Sequence, residues 1–267
     1  MFFATASRRS LIVAPSTVTE SVLAQPLLAL LRRFDAFGRV DVLADAGVAP
    51  LFRAMSEPDE VIETDIGLER VALLRRLALS RRIEAGSYDC AYILQEARVA
   101  GMAPWLARIP RRMVVGAEPS RRGPPAACRA GARDQPIGDR FVAMAFPPGE
   151  SLPSGIPAPQ IVSPPEMTEA LARRLSIDLS RPLVLLCPSS ELGPGSEWPV
   201  RHYAELASLI ALQWPEVAIG LIGSAGDRAV ATQVSLLSGE PLHNWAGRID
   251  LTETLALMSH AAAVVTS

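Results

Sequence analysis

Ser189 and Ser190 directly follow Leu183-Val184-Leu185-Leu186-Cys187, an unbroken apolar run closed by Pro188. Such a run reads as a buried strand, and the carboxyl end of a strand is where open parallel sheets bind ligands. Hydroxyls in that place contact phosphate or simply close the turn. Glu20 opens a helical pattern over Ser21–Phe34, where a first-turn acid complements the helix dipole. Asp227 stands in the same relation to a helix over Arg228–Leu237, as an N-cap or first-turn acid. Between Arg70 and Arg133, 13 arginines stand against the four acids Glu84, Asp89, Glu96 and Glu118. That excess is either a solvated basic face or a surface for an anionic partner, such as a phosphorylated headgroup or a membrane. The stretch has few aromatics and no reader motif, so no nucleic acid is expected.

Other chemistries are excluded by residue type. All 26 basic residues are arginine, which removes Schiff-base and P-loop lysine mechanisms. Cys90, Cys128 and Cys187 are far apart, and with only His202, His243 and His260 they make neither a disulfide frame nor a zinc site. No metal and no redox cofactor are expected. No Gly-x-Gly-x-x-Gly follows Leu11–Pro15, which argues against a dinucleotide enzyme. The 267 residues are 49% hydrophobic with a net charge of −2, so the chain folds rather than staying disordered. No apolar run approaches the ~20 residues of a membrane helix. Ser7-Arg8-Arg9-Ser10 faintly resembles a twin-arginine signal, but the apolar stretch behind it breaks at Pro15. A cytoplasmic protein is expected, in peripheral contact at most with the inner membrane.

The elements that must position these residues alternate. Strands are expected at Leu11–Pro15, Val40–Ala44, Glu60–Glu63, Tyr88–Leu94 and Arg112–Val115. Helices at Ser21–Phe34, Val48–Met55, Leu68–Ile83 and Ala97–Ala107 fall between them. Residues 117–165 break the rhythm, holding 11 of the 23 prolines. Proline fixes φ and removes a donor, so this segment reads as a linker with a short helix near Asp139–Phe146 inside it. Alternation then resumes: helices at Met167–Leu175, Val200–Leu212, Arg228–Leu237 and Leu251–Ala262, strands at Leu183–Cys187, Val217–Ile222 and Ala263–Thr266. The pattern predicts βαβ units with parallel sheets in two domains, 1–116 and 166–267.

Several segments, in this order, carry a resemblance. Pro15-Ser16-Thr17-Val18-Thr19-Glu20 forms an opening loop, followed by Tyr88-Asp89-Cys90-Ala91-Tyr92-Ile93-Leu94 and Ile109-Pro110-Arg111-Arg112. Then come Pro188-Ser189-Ser190-Glu191-Leu192-Gly193-Pro194-Gly195-Ser196-Glu197-Trp198-Pro199 and Tyr203-Ala204-Glu205-Leu206-Ala207. Gly223-Ser224-Ala225-Gly226-Asp227, Asn244-Trp245-Ala246-Gly247, Leu251-Thr252-Glu253 and Ala263-Val264-Val265-Thr266 complete the series. Together they resemble the lipopolysaccharide heptosyltransferases over essentially the whole chain, nearest the heptosyltransferase II branch.

The resemblance implies a GT-B fold: two Rossmann-like domains with a cleft between them, the second incomplete here. It implies inverting transfer of heptose from ADP-heptose to the anionic, membrane-anchored inner core of lipopolysaccharide. By position, Glu20 is the implied base, and Ser189, Ser190, Ser196, Arg201 and Asp227 the implied donor contacts. Arg70, Arg75, Arg76, Arg111 and Arg112 are the arginines assigned to the acceptor. The chain departs from the family pattern at three places. The family's Gly-Asp in the opening loop is Thr19-Glu20 here, one methylene longer. Its lysine before Trp-Pro is Ser196, beside Glu197, and Arg201 is the nearby cation. The chain reaches Ser267 where an Asn-Asp-Ser-Gly type loop begins, so a C-terminally truncated, divergent member is expected. The alternative function is a catalytically degenerate relative that binds a lipopolysaccharide precursor or a partner protein.

Overall fold

The computed structural model describes residues 8–36, 38–64, 73–95, 104, 106–115, 128–130, 134–147, 150, 152, 155–188 and 198–266, backbone only at 73–78 and 128–130. The chain divides into two compact units, Met1–Ile161 and Val162–Ser267.

In the first unit, strands β1 (Arg9–Val13), β2 (Arg39–Asp45), β3 (Glu60–Thr64), β4 (Cys90–Ile93), β5 (Arg111–Val115) and β6 (Cys128–Ala130) form one parallel sheet. Its order is β3-β2-β1-β4-β5-β6. Helices α1 (Val18–Phe34), α2 (Ala49–Arg53), α3 (Leu73–Ala85) and α4 (Ile137–Ala143) complete the described elements. The inner strands are covered on both faces, which is why they read as apolar runs rather than as alternations. Ile12, Val40, Val42 and Ala44 pack with Leu27 and Leu28 of α1 and Phe141 of α4. Leu11, Val13 and Leu43 point the other way, onto Ile83 of α3 and Tyr88.

One polar group enters that second face. Asp41 is 1% exposed and accepts from Arg39 Nε at 2.8 Å and from the Tyr88 hydroxyl at 2.6 Å. Burial and the adjoining Asp41 carboxylate push the Tyr88 phenol up, while the hydrogen bond and charge of Asp41 raise Arg39. Arg39 also bonds Glu60 at 2.7 Å, so this cluster staples the amino ends of β2 and β3 to the turn before β4.

The second unit contains α5 (Pro165–Leu175), β7 (Leu183–Cys187), α6 (Val200–Gln213), β8 (Ala218–Leu221), α7 (Arg228–Ser238), β9 (His243–Asn244), α8 (Leu251–His260) and β10 (Ala263–Thr266). Its strands form a parallel sheet in the order β10-β7-β8-β9. Leu183 and Leu185 face Leu171 of α5 and Leu257 of α8, whereas Leu186 faces Tyr203 and Ala207 of α6 and Val234 of α7. Both units are thus Rossmann-like α/β layers, as expected.

The expected linker at 117–165 does not separate them. β6 adds to the first sheet through Met113↔Cys128, and α4 buries Phe141 and Val142 at 0% and 1% exposure. Gln25 of α1 reaches across, its Oε1 accepting from the Gln160 amide at 3.3 Å. Prolines here cap and turn the chain, with Pro136 as the N-cap of α4, while the apolar residues between them join the core. The expected helix Ala97–Ala107 falls mostly outside the described residues.

Candidate active site

The order β3-β2-β1-β4 in the first sheet reverses direction between β1 and β4. Connections leaving their carboxyl ends diverge there and open a crevice, the usual ligand site of open α/β sheets. Ala14-Pro15-Ser16-Thr17 crosses this point. Its start is tied on both sides, by Ala14 N–H to the Leu43 carbonyl at 2.9 Å and by Gln95 Nε2 to the Ala14 carbonyl at 2.7 Å. Thr17 then caps α1, its hydroxyl accepting from Glu20 N–H at 3.2 Å. Glu20 is the third residue of α1 and is half-buried. Among the described residues its carboxylate makes no hydrogen bond or ion pair. That leaves the carboxylate available for contact with a bound molecule.

The arginines assigned to an anionic acceptor do not share one end of the unit. Arg111 and Arg112 open β5, at the amino end of the parallel sheet, and Arg112 turns back to the Ile109 carbonyl. Arg75 and Arg76 lie in the first turn of α3, which returns from the carboxyl end of the sheet to Cys90 at its amino end. In a parallel sheet every strand starts at one end, so strand-opening and helix-opening residues are necessarily apart. Arg70 lies outside the described residues, as do the side chains of Arg75 and Arg76.

In the second sheet the reversal falls between β7 and β10. Ser189, Ser190 and Ser196, in the connection leaving β7, lie outside the described residues. The start of α6 is held against the end of β7, because the Tyr203 hydroxyl donates to the Cys187 carbonyl at 3.0 Å. Trp198 packs edge-on to Tyr203, with ring centroids 4.9 Å apart, and stacks on His202 at 5.5 Å. Pro199 is the N-cap and no acid occupies the first turn. Arg201 is exposed there, with Nε 3.4 Å from His202 Nε2. A helix start without an acid and a guanidinium beside it are suited to a diphosphate.

β8 leads to Gly223 and a short turn at Ala225–Asp227. Asp227 Oδ2 accepts from both the amide and the hydroxyl of Ser224, each at 2.7 Å, and so caps the turn. The next segment locks onto this one. Trp245 N–H donates to the Leu221 carbonyl at 2.9 Å and Gly247 N–H to the Gly223 carbonyl at 2.9 Å. The Arg228 guanidinium reaches the Gly247 carbonyl at 2.7 Å. Arg228 escaped the sequence reading because its partners are backbone carbonyls 18 and 19 residues away.

Gly247 has φ +64°, and a Cβ there would meet the Ala225 Cα at 2.6 Å. Gly239 has φ +68° with open space around it. Gly247→Ala is therefore expected to cost about 2–4 kcal/mol, and Gly239→Ala about 1 kcal/mol, since only the first adds a backbone clash to the left-handed strain. Thermal denaturation of the two variants checks this; equal losses would show that the 225–247 contact constrains nothing.

Among the described residues no helix is long and apolar enough to cross a membrane. Nor does any group of three or more His, Cys, Asp or Glu there make a metal site.

A family model for glycosyltransferase family 9 (heptosyltransferase) matches residues 76–267. Lipooligosaccharide heptosyltransferase 2 of Haemophilus ducreyi is 30% identical over 269 residues, covering 96% of this chain and 76% of that protein. Lipopolysaccharide heptosyltransferase 2 of Salmonella typhimurium is 29% identical over 268 residues, with the same shares covered. The structure of Escherichia coli ADP-heptose LPS heptosyltransferase II superposes with a TM-score of 0.84 at 26% identity, over 97% of this chain and 78% of that one. These likenesses agree with the resemblance carried by the ordered motifs.

Proposed function

Because the chain belongs to glycosyltransferase family 9, the heptosyltransferases, we propose that it transfers heptose from ADP-heptose to the inner core of lipopolysaccharide by one inverting displacement. The observation that carries this reading is Glu20, which opens α1 at the strand-order reversal of the first sheet and whose carboxylate has no partner among the described residues. The reaction needs a base for the acceptor hydroxyl and positive groups for the departing diphosphate. Glu20 takes the hydroxyl proton as that oxygen attacks the anomeric carbon. The bond from that carbon to the diphosphate oxygen breaks on the opposite face, and ADP leaves with the electron pair.

The second unit receives the donor in this reading. The amides opening α6 and the Arg201 guanidinium take up diphosphate charge, with Ser189, Ser190 and Ser196 from the preceding connection. Asp227, fixed by Ser224, faces the ribose. The names of the relatives support the substrates: lipopolysaccharide for the Salmonella protein and ADP-heptose for the E. coli one. Arg70, Arg75 and Arg76 suit an anionic acceptor at the surface of the inner membrane, which puts the protein in the cytoplasm. Arg111 and Arg112, at the other end of the sheet, take no part in acceptor binding here. No metal or redox cofactor enters the displacement.

The test incubates the chain with ADP-heptose and heptose-deficient lipopolysaccharide, with EDTA present. Release of ADP, an acceptor heavier by one heptose and an inverted anomeric centre are expected. ADP-heptose left intact by the folded protein would remove the proposal in favour of a binding role, and a requirement for added metal would overturn its metal-free chemistry.

A further inference from the structure

The outer face of α6 and α7 in the second unit carries an apolar surface that donor binding does not use. Along the second half of α6 the exposed apolar stripe runs through Leu209 and Leu212, two turns beyond Arg201, and Trp214 caps the helix end. Leu209, Leu212 and Trp214 are 62%, 81% and 52% exposed, and Leu236 and Leu237 of α7 are 77% and 65% exposed. The two helices share this face, because Ser208 Oγ in mid-α6 donates to the Ser238 carbonyl at the end of α7, at 3.1 Å. From Leu206 to Pro215 and from Ala229 to Gly239 there is no charged residue.

Surface helices ordinarily alternate an apolar stripe inward with charge outward. Here the inward stripe is already filled by Tyr203, Ala204, Ala207 and Ile210 of α6 and Ala231 and Val234 of α7. The outward leucines are therefore additional to the core. Together the five side chains expose on the order of 600 Å² of apolar surface, at the upper limit for one patch on a monomer. That is close to the ~800 Å² each partner contributes to a standard interface.

We infer that this face is a two-fold interface in which α6 and α7 of one copy pack on α6 and α7 of a second. A lipid surface fits the flanking charge less well. Glu205, Glu216 and Glu240 border the leucines, against Arg181, whose guanidinium is turned to the carbonyls of residues 215–217. An anionic bilayer attracts basic borders and is repelled by acidic ones. A neutral apolar centre with a mixed polar rim is what a protein interface requires. A closed dimer is satisfied by one patch per copy, because a two-fold contact is self-complementary.

Sedimentation equilibrium of the full chain at micromolar concentration is expected to give twice the 28.6 kDa chain mass. Leu212→Glu and Leu236→Glu place charge at positions more than three-quarters exposed, so folding is retained, as an unshifted melting curve verifies. Each is expected to weaken dimerisation at least 100-fold, while Leu212→Met keeps it. A monomer for the parent chain, or a dimer that survives both charge substitutions, overturns the inference. Flotation of the parent chain with vesicles of zwitterionic and anionic lipid, lost in Leu212→Glu without any change in mass, would assign the face to the membrane and overturn it equally.

Discussion

Glu20→Gln is expected to lower kcat for heptosyl transfer by about 10²–10⁴-fold, the usual contribution of a positioned general base. The substitution keeps the backbone amide that Thr17 caps, so α1 stays anchored. It also keeps the side-chain length, so the acceptor is still admitted. Losing one first-turn charge costs the helix about 0.3–1 kcal/mol, too little to unfold the unit. The loss therefore falls on kcat, with the donor KM unchanged, because donor contacts come from the second unit in this reading. Glu20→Asp, one methylene shorter, keeps a carboxylate and is expected to retain more rate than the amide. Steady-state kinetics on the two variants decide the matter. A Gln variant within threefold of the parent would leave Glu20 as a helix-start acid and nothing more.

What the residues revealed in advance was whatever rests on local pattern. β7 was legible to its bounds, Leu183–Cys187, since a fully apolar five-residue run flanked by proline admits few readings. α1 was legible too, although it starts at Val18 rather than Ser21, the Thr17 cap adding most of a turn. The short strands were not. β6 has three residues among glycines, prolines and arginines, and β9 has two; each exists because a neighbouring strand, β5 or β8, offers its edge. The same holds for the site. Glu20 and Asp227 were legible as helix-start acids because strand-turn-helix junctions have a local signature. The Arg228 clamp and the Asp41–Arg39–Tyr88 cluster were not, since their partners meet only after the chain has folded. The separation of Arg75 and Arg76 from Arg111 and Arg112 is likewise a property of sheet direction, which composition does not contain.

Phe141→Ala carries the second large effect, and it bears on the role of the proline-rich segment. A phenylalanine in a linker would be exposed, and its truncation nearly neutral. Phe141 is instead 0% exposed, in one cluster with Ile12, Leu27, Leu28 and Met144, within a helix that packs along α1. Removing the ring forfeits its burial and leaves a cavity that β1 and α1 cannot close without moving. Large-to-small changes of this kind cost about 3–5 kcal/mol, a large fraction of the 5–15 kcal/mol that holds a typical domain folded. α1 carries Glu20, so the same change is expected to loosen the candidate base. Urea titration followed by hydrogen exchange of α1 amides checks both consequences. A loss below about 1 kcal/mol would mean that residues 137–143 only rest on the first unit. A loss in the expected range, with faster exchange in α1 and unaltered exchange in α6, would establish that the proline-rich segment helps hold the helix bearing Glu20 in place.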